Sequence, residues 1–176
     1  PVPGTRVKII KNIDGPISTL NQATELKTGE IGEIIVNGDV VTRTYFNAEN
    51  ETLAAKIYDL DKIWHRIGDM GYLDEAGRLW FCGRKSHKVE TVSGPLYTIP
   101  CEAIFNNHPG VRRSALVEIN KIPRIVIERN KIGKTIAKDK LKRELVELAS
   151  LHEHTKEIKD VFYKKSFPVD VRHNIK

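Results

Sequence analysis

Two polar residues occupy sequence positions where a ligand could be bound. Asp69 follows Gly68 at the end of an apolar segment, and a carboxylate placed there can accept hydrogen bonds from two vicinal hydroxyls, as ribose-binding acids do. Arg84 follows Gly83 in the same way, and its planar guanidinium suits ribose or phosphate oxygens. Taken singly, however, the first is typical of a turn aspartate and the second of a surface arginine. Lys176 by itself is one solvated lysine among many.

Other patterns that often carry chemistry are incomplete in this sequence. Residues 132–135, Ile-Gly-Lys-Thr, are similar to the end of a phosphate-binding loop, but the first glycine of that motif is replaced by Glu128, so we predict a loop before a helix. His152 and His154 have i, i+2 spacing, which points their rings apart on a helix and predicts no metal site. The sequence has no Gly-x-Ser-x-Gly elbow and no His-Glu-x-x-His pair. Spacing alone therefore identifies no self-contained active site.

The first half of the chain is predicted to be mostly antiparallel β, because apolar and polar residues alternate there with a period of two. Asn37-Gly38 is a strong hairpin signal between two of the strands. Asn47 is a candidate N-cap for a short helix over 48–57, and a turn at 74–77 predicts a second hairpin. The predicted strands cover residues 5–10, 30–36, 40–46, 63–69, 71–73 and 78–82.

The second half is predicted to be a small α+β unit that begins near Gly83–Ser86. Its clearest helix covers 139–151, where leucines recur at helical spacing and charged residues occupy the other face. A shorter helix over 101–107 follows Pro100, which suits a first helical position. The predicted strands of this half cover residues 89–92, 114–119, 125–128 and 161–167.

Composition limits the class of protein. With 40% hydrophobic and 30% charged residues in 176, the sequence is typical of a globular protein rather than a disordered chain or a coiled coil. Cys82 and Cys101 are too few for a disulfide framework, so we expect a reducing, cytoplasmic compartment. No apolar run approaches the roughly 20 residues that cross a bilayer, and we find no secretion signal.

The net charge of +6 is concentrated in the second half of the sequence. Residues 1–84 carry 10 Lys and Arg against 12 Asp and Glu, whereas residues 85–176 carry 19 against 11. Such a surplus indicates phosphate-bearing ligands or an acidic partner, or else a solvated basic surface. A non-catalytic module for nucleic acid is a distant alternative, because the few aromatic residues of this half form no regular stacking platform.

Three segments, in their order along the chain, carry a family resemblance. They are residues 29–47, which begin Gly-Glu-Ile-Gly-Glu, then Trp64-His-Arg-Ile-Gly-Asp-Met-Gly-Tyr-Leu-Asp74, and then Gly77-Arg-Leu-Trp-Phe-Cys-Gly-Arg-Lys85. These segments resemble successive core motifs of the acyl-adenylate-forming (AMP-binding) superfamily, which includes acyl-CoA synthetases, luciferases and peptide-synthetase adenylation domains. Within it, residues 85–102 and 167–176 look most like the β-lactone synthetases of bacterial long-chain olefin biosynthesis.

The resemblance implies a mixed fold in two parts. Residues 1–84 would be the antiparallel, β-barrel-like end of a large N-terminal adenylation domain. Residues 85–176 would be most of a small mobile α+β C-terminal domain, truncated at its end. We therefore expect a piece of a longer protein, inactive alone, because the phosphate loop and acyl pocket of the family would lie upstream.

The resemblance also implies roles for individual residues. Asp69 would bind the ribose hydroxyls of ATP, and Arg84 would contact the ribose or phosphates. Lys176 would be the catalytic lysine that bridges the α-phosphate and the substrate carboxylate, where a cation stabilises a transition state in which two anions meet. Lys85 and Ser86 would form the hinge between the domains. Mg²⁺ would accompany ATP, bound mainly by the upstream part.

The implied reaction activates a fatty or β-hydroxy fatty acid as acyl-AMP and releases pyrophosphate. In the favoured version, the hydroxyl of the substrate then displaces AMP and closes a β-lactone. The alternative is an acyl-CoA ligase or a peptide-synthetase-type domain that passes the acyl group to coenzyme A or a carrier protein. Partners would be the carboxylic acid, ATP and, in a pathway, such a carrier or other enzymes, with no nucleic acid and no membrane span.

Two departures from the family pattern bear on that choice. Ser86 occupies the position where many relatives have a hinge Asp or Lys. Leu96 replaces a polar residue two positions beyond Gly94, in a loop that often contacts coenzyme A. The second departure favours lactone closure over transfer to coenzyme A.

Overall fold

The structure, a computed structural model, describes residues 3–168 of the chain. The chain divides into two compact units, Pro1–Ser86 and His87–Lys176. Both units combine helices with β-sheet, so the prediction of a mixed fold is confirmed. Among the described residues, no helix has both the length and the apolar character that a membrane crossing requires.

The first unit contains a five-stranded antiparallel sheet and a short helix. The strands are β1 (Arg6–Ile10), β2 (Gly32–Asn37), β3 (Lys56–Asp59), β4 (Lys62–Leu73) and β5 (Leu79–Arg84), and the helix is α1 (Glu49–Ala55). β1 pairs with β2, β2 pairs with β4, and β4 pairs with both β3 and β5. The core of the unit consists of five buried apolar side chains, Ile10, Ile17, Ile35, Ile57 and Trp64.

This sheet is open within the described residues, and the prediction of a barrel-like end is therefore wrong for them. The order of strands begins at β1 and ends at β3, and no described strand joins these two edges. The long strand β4 pairs with β3 through residues 62–65 and with β5 through residues 69–73. The outer edge of β1 bridges to Glu25 and the outer edge of β3 bridges to Thr19, so connecting segments occupy the edges that would have to meet for closure.

The hairpin predicted at Asn37-Gly38 does not form, and residues 40–46 contain no strand. β2 already has β1 on one edge and β4 on the other, so a strand that follows it has no edge to pair with. The Asn37 side chain instead accepts a hydrogen bond from Arg6 and donates one of 2.8 Å to the Ile63 carbonyl oxygen. The second predicted hairpin is confirmed as β4 and β5.

The helix predicted at residues 48–57 is shorter than expected. α1 begins after Ala48, and its N-cap has no side-chain hydrogen bond. Asn47, the predicted cap, has φ of +49° and lies outside the helix. The last residues of the predicted helix instead enter β3, where Ile57 is fully buried in the core. Burial of that apolar side chain on the sheet outweighs a weak local preference for helix.

The second unit contains a small hairpin, a three-stranded sheet and three described helices. Its strands are β6 (Val89–Thr91), β7 (Gly94–Leu96), β8 (Val111–Ile119), β9 (Ile122–Arg129) and β10 (Asp160–Lys164), and its helices are α2 (Thr98–Asn106), α3 (Lys131–Thr135) and α4 (Lys138–Ser150). β6 and β7 form the hairpin. In the sheet, β9 lies centrally, antiparallel to β8 and parallel to β10.

The core of the second unit lies between its helices and the three-stranded sheet. Phe105 of α2, Ile125 and Ile127 of β9, and Leu141 and Leu145 of α4 are all fully buried in one cluster. The leucine spacing thus predicted the inward face of α4 correctly. Two local predictions were wrong: α2 starts at Thr98, before Pro100, and residues 131–135 form a short helix instead of a loop.

Phe105→Ala tests this core. The substitution removes a fully buried aromatic ring, and we expect the free energy of unfolding to fall by about 3–5 kcal/mol. The measurement is urea unfolding of the chain followed by far-ultraviolet circular dichroism. Phe162→Ala is the matched control, because that ring is 42% exposed and its loss should cost about 1 kcal/mol. Equal losses for the two variants would contradict this assignment of the core.

Candidate functional site

The β4–β5 hairpin brings Asp69 and Arg84 together as direct cross-strand partners. Arg84 Nη1 donates to Asp69 Oδ1 over 2.8 Å and to the Ile67 carbonyl oxygen over 3.3 Å. The Asp69 side chain is 20% exposed and the Arg84 side chain 58% exposed. Exposed ion pairs contribute little to stability, so the main effect of this contact is to orient the two side chains beside each other.

Glycines shape the backbone on both strands of this site. Gly68 and Gly83, which precede the two polar residues, have φ of +75° and +126°, a region that side-chain-bearing residues rarely adopt. Gly71 allows a close approach of the strands, since a Cβ there would lie 2.4 Å from the Trp80 carbonyl oxygen. The pairing register shifts between Met70 and Gly71, and such bulges redirect neighbouring side chains. The glycines of the two sequence motifs therefore have a structural reason.

The pair at the end of the hairpin presents complementary hydrogen-bonding groups. The Asp69 carboxylate can accept hydrogen bonds from hydroxyl groups, and the Arg84 guanidinium can donate several to hydroxyl or phosphate oxygens. One ligand that carries vicinal hydroxyls and a phosphate could thus contact both side chains. A ribose phosphate has this combination of groups.

Lys85, one of the two predicted hinge residues, is anchored within the first unit. Its Nζ donates to the Ile13 carbonyl oxygen over 2.8 Å and to Glu33 Oε2 over 3.1 Å. Ser86, the other, is exposed and lies in the 3-10 turn Lys85–His87, where the first unit ends. Lys176, the predicted catalytic lysine, lies outside the described residues.

A buried ion pair between β2 and β4 was not predicted from the sequence. Arg66 Nε and Nη2 donate to the two carboxylate oxygens of Glu33 over 3.0 and 2.8 Å, and the two side chains are 6% and 2% exposed. Arg66 donates further hydrogen bonds to backbone carbonyl oxygens, those of Ile13, Gly15 and Ala54. The signal in the sequence was Glu33 inside the otherwise apolar segment 31–36. The Glu33–Arg66 ion pair connects Lys85, through Glu33 on β2, to β4, the strand that carries Asp69.

The cysteines and the described metal-binding residue types supply no reactive centre. Burial raises the pKa of the Cys82 thiol to about 11 and that of Cys101 to about 12, so both stay protonated at neutral pH and lack the reactive thiolate form. Within residues 3–168, no three His, Cys, Asp or Glu side chains lie close enough together to hold a metal ion.

Two curated relatives match almost the whole chain. An olefin β-lactone synthetase from Xanthomonas campestris pv. campestris is 42% identical over 179 residues, which is 97% of this chain and 32% of that protein. An olefin β-lactone synthetase from Stenotrophomonas maltophilia is 39% identical over 97% of this chain and 32% of its own length. This chain belongs to the acyl-adenylate-forming superfamily. It spans about a third of the length of these relatives and corresponds to the C-terminal portion of the superfamily.

Solved structures of the superfamily share this fold. O-succinylbenzoate coenzyme A synthetase (MenE) from Bacillus subtilis, in complex with AMP, superposes with a TM-score of 0.74 at 23% identity. The match covers 99% of this chain and 33% of that chain. A comparison with family models gave no match. The two curated relatives confirm the resemblance of the sequence motifs to this superfamily.

Glu33→Gln tests the buried ion pair between β2 and β4. The amide leaves the buried Arg66 guanidinium without its counter-charge and leaves Lys85 with only the 3.9 Å ion pair to Asp14. We expect the free energy of unfolding to fall by about 3–5 kcal/mol. The measurement is urea unfolding followed by the fluorescence of Trp64, which lies in the core of the same unit. Glu25→Gln is the control, because Glu25 is 56% exposed and its loss should cost about 1 kcal/mol or less. A Glu33→Gln loss no larger than that of the control would contradict the prediction.

Proposed function

We propose that the full-length protein is an ATP-dependent acid ligase that activates a fatty or β-hydroxy fatty acid as acyl-AMP and releases pyrophosphate. The observation that carries the proposal is the accessible Asp69–Arg84 pair, found in a chain that is 42% identical to an olefin β-lactone synthetase. In this proposal, residues 3–168 contribute side chains that bind and orient the nucleotide. The pocket for the acyl chain belongs to the rest of the protein.

In this proposal Asp69 accepts hydrogen bonds from the ribose hydroxyls of ATP, and Arg84 donates to the ribose or to phosphate oxygens. The 2.8 Å contact between the two side chains supports these roles, because it orients both groups before the nucleotide arrives. Lys176 bridges the α-phosphate and the substrate carboxylate. Attack of one anion on another crowds negative charge, and one well-placed donor typically contributes about 3–4 kcal/mol to the stability of such a transition state.

We assign residues 1–84 to the end of a large N-terminal domain and residues 85–176 to a small mobile C-terminal domain. Lys85 and Ser86 form the hinge between them. The anchoring of Lys85 by Glu33 and the exposure of Ser86 favour Ser86 as the pivot, because it follows the last anchored side chain. The two free, buried cysteines support a cytoplasmic location, where thiols stay reduced.

For the second step we favour closure of a β-lactone. The β-hydroxyl oxygen of the substrate would bond to its own acyl carbon, the bond between that carbon and the AMP oxygen would break, and the hydroxyl proton would pass to solvent. Both named relatives support this version. Leu96 supports it too, because it packs against the core of the second unit and offers no polar group to coenzyme A. Transfer to coenzyme A or to a carrier protein remains the alternative.

The two versions differ in their need for a thiol. If the protein closes a lactone, a β-hydroxy fatty acid and ATP alone should release AMP through many turnovers, since the nucleophile is part of the substrate. We would measure AMP by chromatography with full-length protein, with and without coenzyme A. The same acid without its hydroxyl is the control and should stop at bound acyl-AMP. Strict dependence of AMP release on a thiol would reject lactone closure and leave the ligase alternative.

Asp69→Ala tests the nucleotide site. Loss of charge-assisted hydrogen bonds to the ribose should raise the KM for ATP by about 10-fold or more, while the KM for the acid changes little. The assay is pyrophosphate release by the full-length protein. Glu75→Ala is the matched control, because Glu75 is an exposed acid in the turn of the same hairpin and should leave both constants unchanged. A larger effect on the acid than on ATP would contradict the ribose assignment.

A further inference from the structure

We propose that Glu128 and Arg113 hold Phe167 in a tail clamp that fixes where the segment bearing Lys176 leaves the second unit, and that the clamp thereby positions Lys176 for adenylate formation. This inference rests on the function proposed above. The three clamp residues, Arg113, Glu128 and Phe167, are positioning residues, because they act through Lys176.

The clamp joins the residues after the last strand to the middle of the sheet. The backbone N–H of Phe167 donates to Glu128 Oε2 over 2.9 Å. Arg113 Nη2 donates to the same oxygen over 2.8 Å, and its guanidinium lies 5.7 Å from the centre of the Phe167 ring. Backbone, carboxylate, guanidinium and ring thus form one closed set of contacts.

A β-bulge in β8 builds the cationic side of the clamp. Consecutive residues of a regular strand point to opposite faces, yet Arg112 and Arg113 both contact Glu128, over 2.8 Å each. The pairing register shifts between Val111 and Arg113, so that two residues of β8 face one residue of β9. Bulges of this kind redirect side chains and often lie at functional positions.

The carboxylate of the clamp is deeply buried. Glu128 is 1% exposed, at the end of the central strand β9. The hydrogen bond from the Phe167 backbone, reinforced by Arg113 and Arg112, lowers the pKa of this carboxyl below its usual value. The group therefore stays ionised at neutral pH, where the contacts to the tail are complete. Protonation at acid pH, as the pH falls through that lowered pKa, would weaken them.

The clamp shortens the chain between the rigid sheet and the catalytic lysine. β10 ends at Lys164, twelve residues before Lys176, whereas the clamp holds Phe167, nine residues before it. Phe167 also precedes Pro168, which restricts its backbone to extended conformations. A shorter segment with a fixed start has fewer positions to search. Misplacement of a reacting group by about 1 Å can cost about 100-fold in rate.

The test uses full-length protein and separates two half-reactions: pyrophosphate release from acid and ATP, and consumption of supplied acyl-adenylate. Lys176→Ala is the reference. We expect it to lower the rate of pyrophosphate release about 100-fold or more and to leave consumption of supplied acyl-adenylate unchanged. We expect Glu128→Gln and Arg113→Met each to lower kcat for pyrophosphate release about 10-fold or more. The KM for ATP and the consumption of supplied acyl-adenylate should stay unchanged. A defect in stability alone would affect both half-reactions.

Arg112→Gln is the matched control. Arg112 pairs with the same carboxylate, but its side chain is 62% exposed and Arg113 remains to hold Phe167. Adenylate formation should stay within about threefold of the unmodified protein. Combining Glu128→Gln with Lys176→Ala should give no loss beyond that of Lys176→Ala, because the clamp acts only through the lysine.

Normal adenylate formation by both clamp variants, alongside an impaired Lys176→Ala, would overturn the clamp and leave the proposed function standing. The clamp would also be overturned if the variant with both Glu128→Gln and Lys176→Ala lost activity by the product of the two single losses. If Lys176→Ala itself forms adenylate normally, the lysine role and the clamp inference fail together. If Glu128→Gln does not fold, Arg113→Lys replaces it as a test, because lysine keeps the charge but lacks the planar group. An unchanged kcat for adenylate formation in both Arg113→Lys and Phe167→Leu would reject the proposal.

Discussion

The hydrogen bonds and ion pairs of the buried Glu33 carboxylate join the strands that carry the candidate site. It binds the Arg66 guanidinium with both oxygens and also accepts from Lys85. Through these bonds it connects β2, the long strand β4 and the residue that follows β5. Asp69 lies on β4 and Arg84 ends β5, so both residues of the site are held close to this network. Removing a partner would leave a buried charge uncompensated, which is far more costly than the loss of an exposed pair.

Both units contain a buried glutamate that is paired with two cationic side chains. Each contains a glutamate that is 1–2% exposed, Glu33 in the first unit and Glu128 in the second. Each glutamate is met by two cationic side chains, and each fixes a segment that has left its sheet: Lys85 after β5, and Phe167 after β10. Buried ion pairs add uncertain net stability but specify one arrangement of their partners. Here the segments so specified are the two that the proposed mechanism requires to be well placed.

Much of this architecture could be predicted from local patterns. Alternation identified most strands, and leucine spacing identified the inward face of α4. The motifs placed Arg84 correctly at the end of a strand, whereas Asp69, also expected at a strand end, lies inside β4 (Lys62–Leu73). The prediction failed where the outcome depends on which edges are already occupied, as at Asn37-Gly38, because pairing between distant strands cannot be read from one segment. The barrel-like end failed for the same reason. Buried charges such as Glu33 look in a sequence like ordinary surface residues until the strand pairing is known.

The exposure of the Asp69–Arg84 contact has a consequence for ligand exchange. An ion pair at the surface contributes about 1 kcal/mol or less to stability, and the Arg84 side chain is 58% exposed. If a nucleotide binds there as proposed, it would give up little by drawing either group towards itself and loosening their mutual contact. Under the proposed role, this preorganisation would impose almost no penalty on affinity.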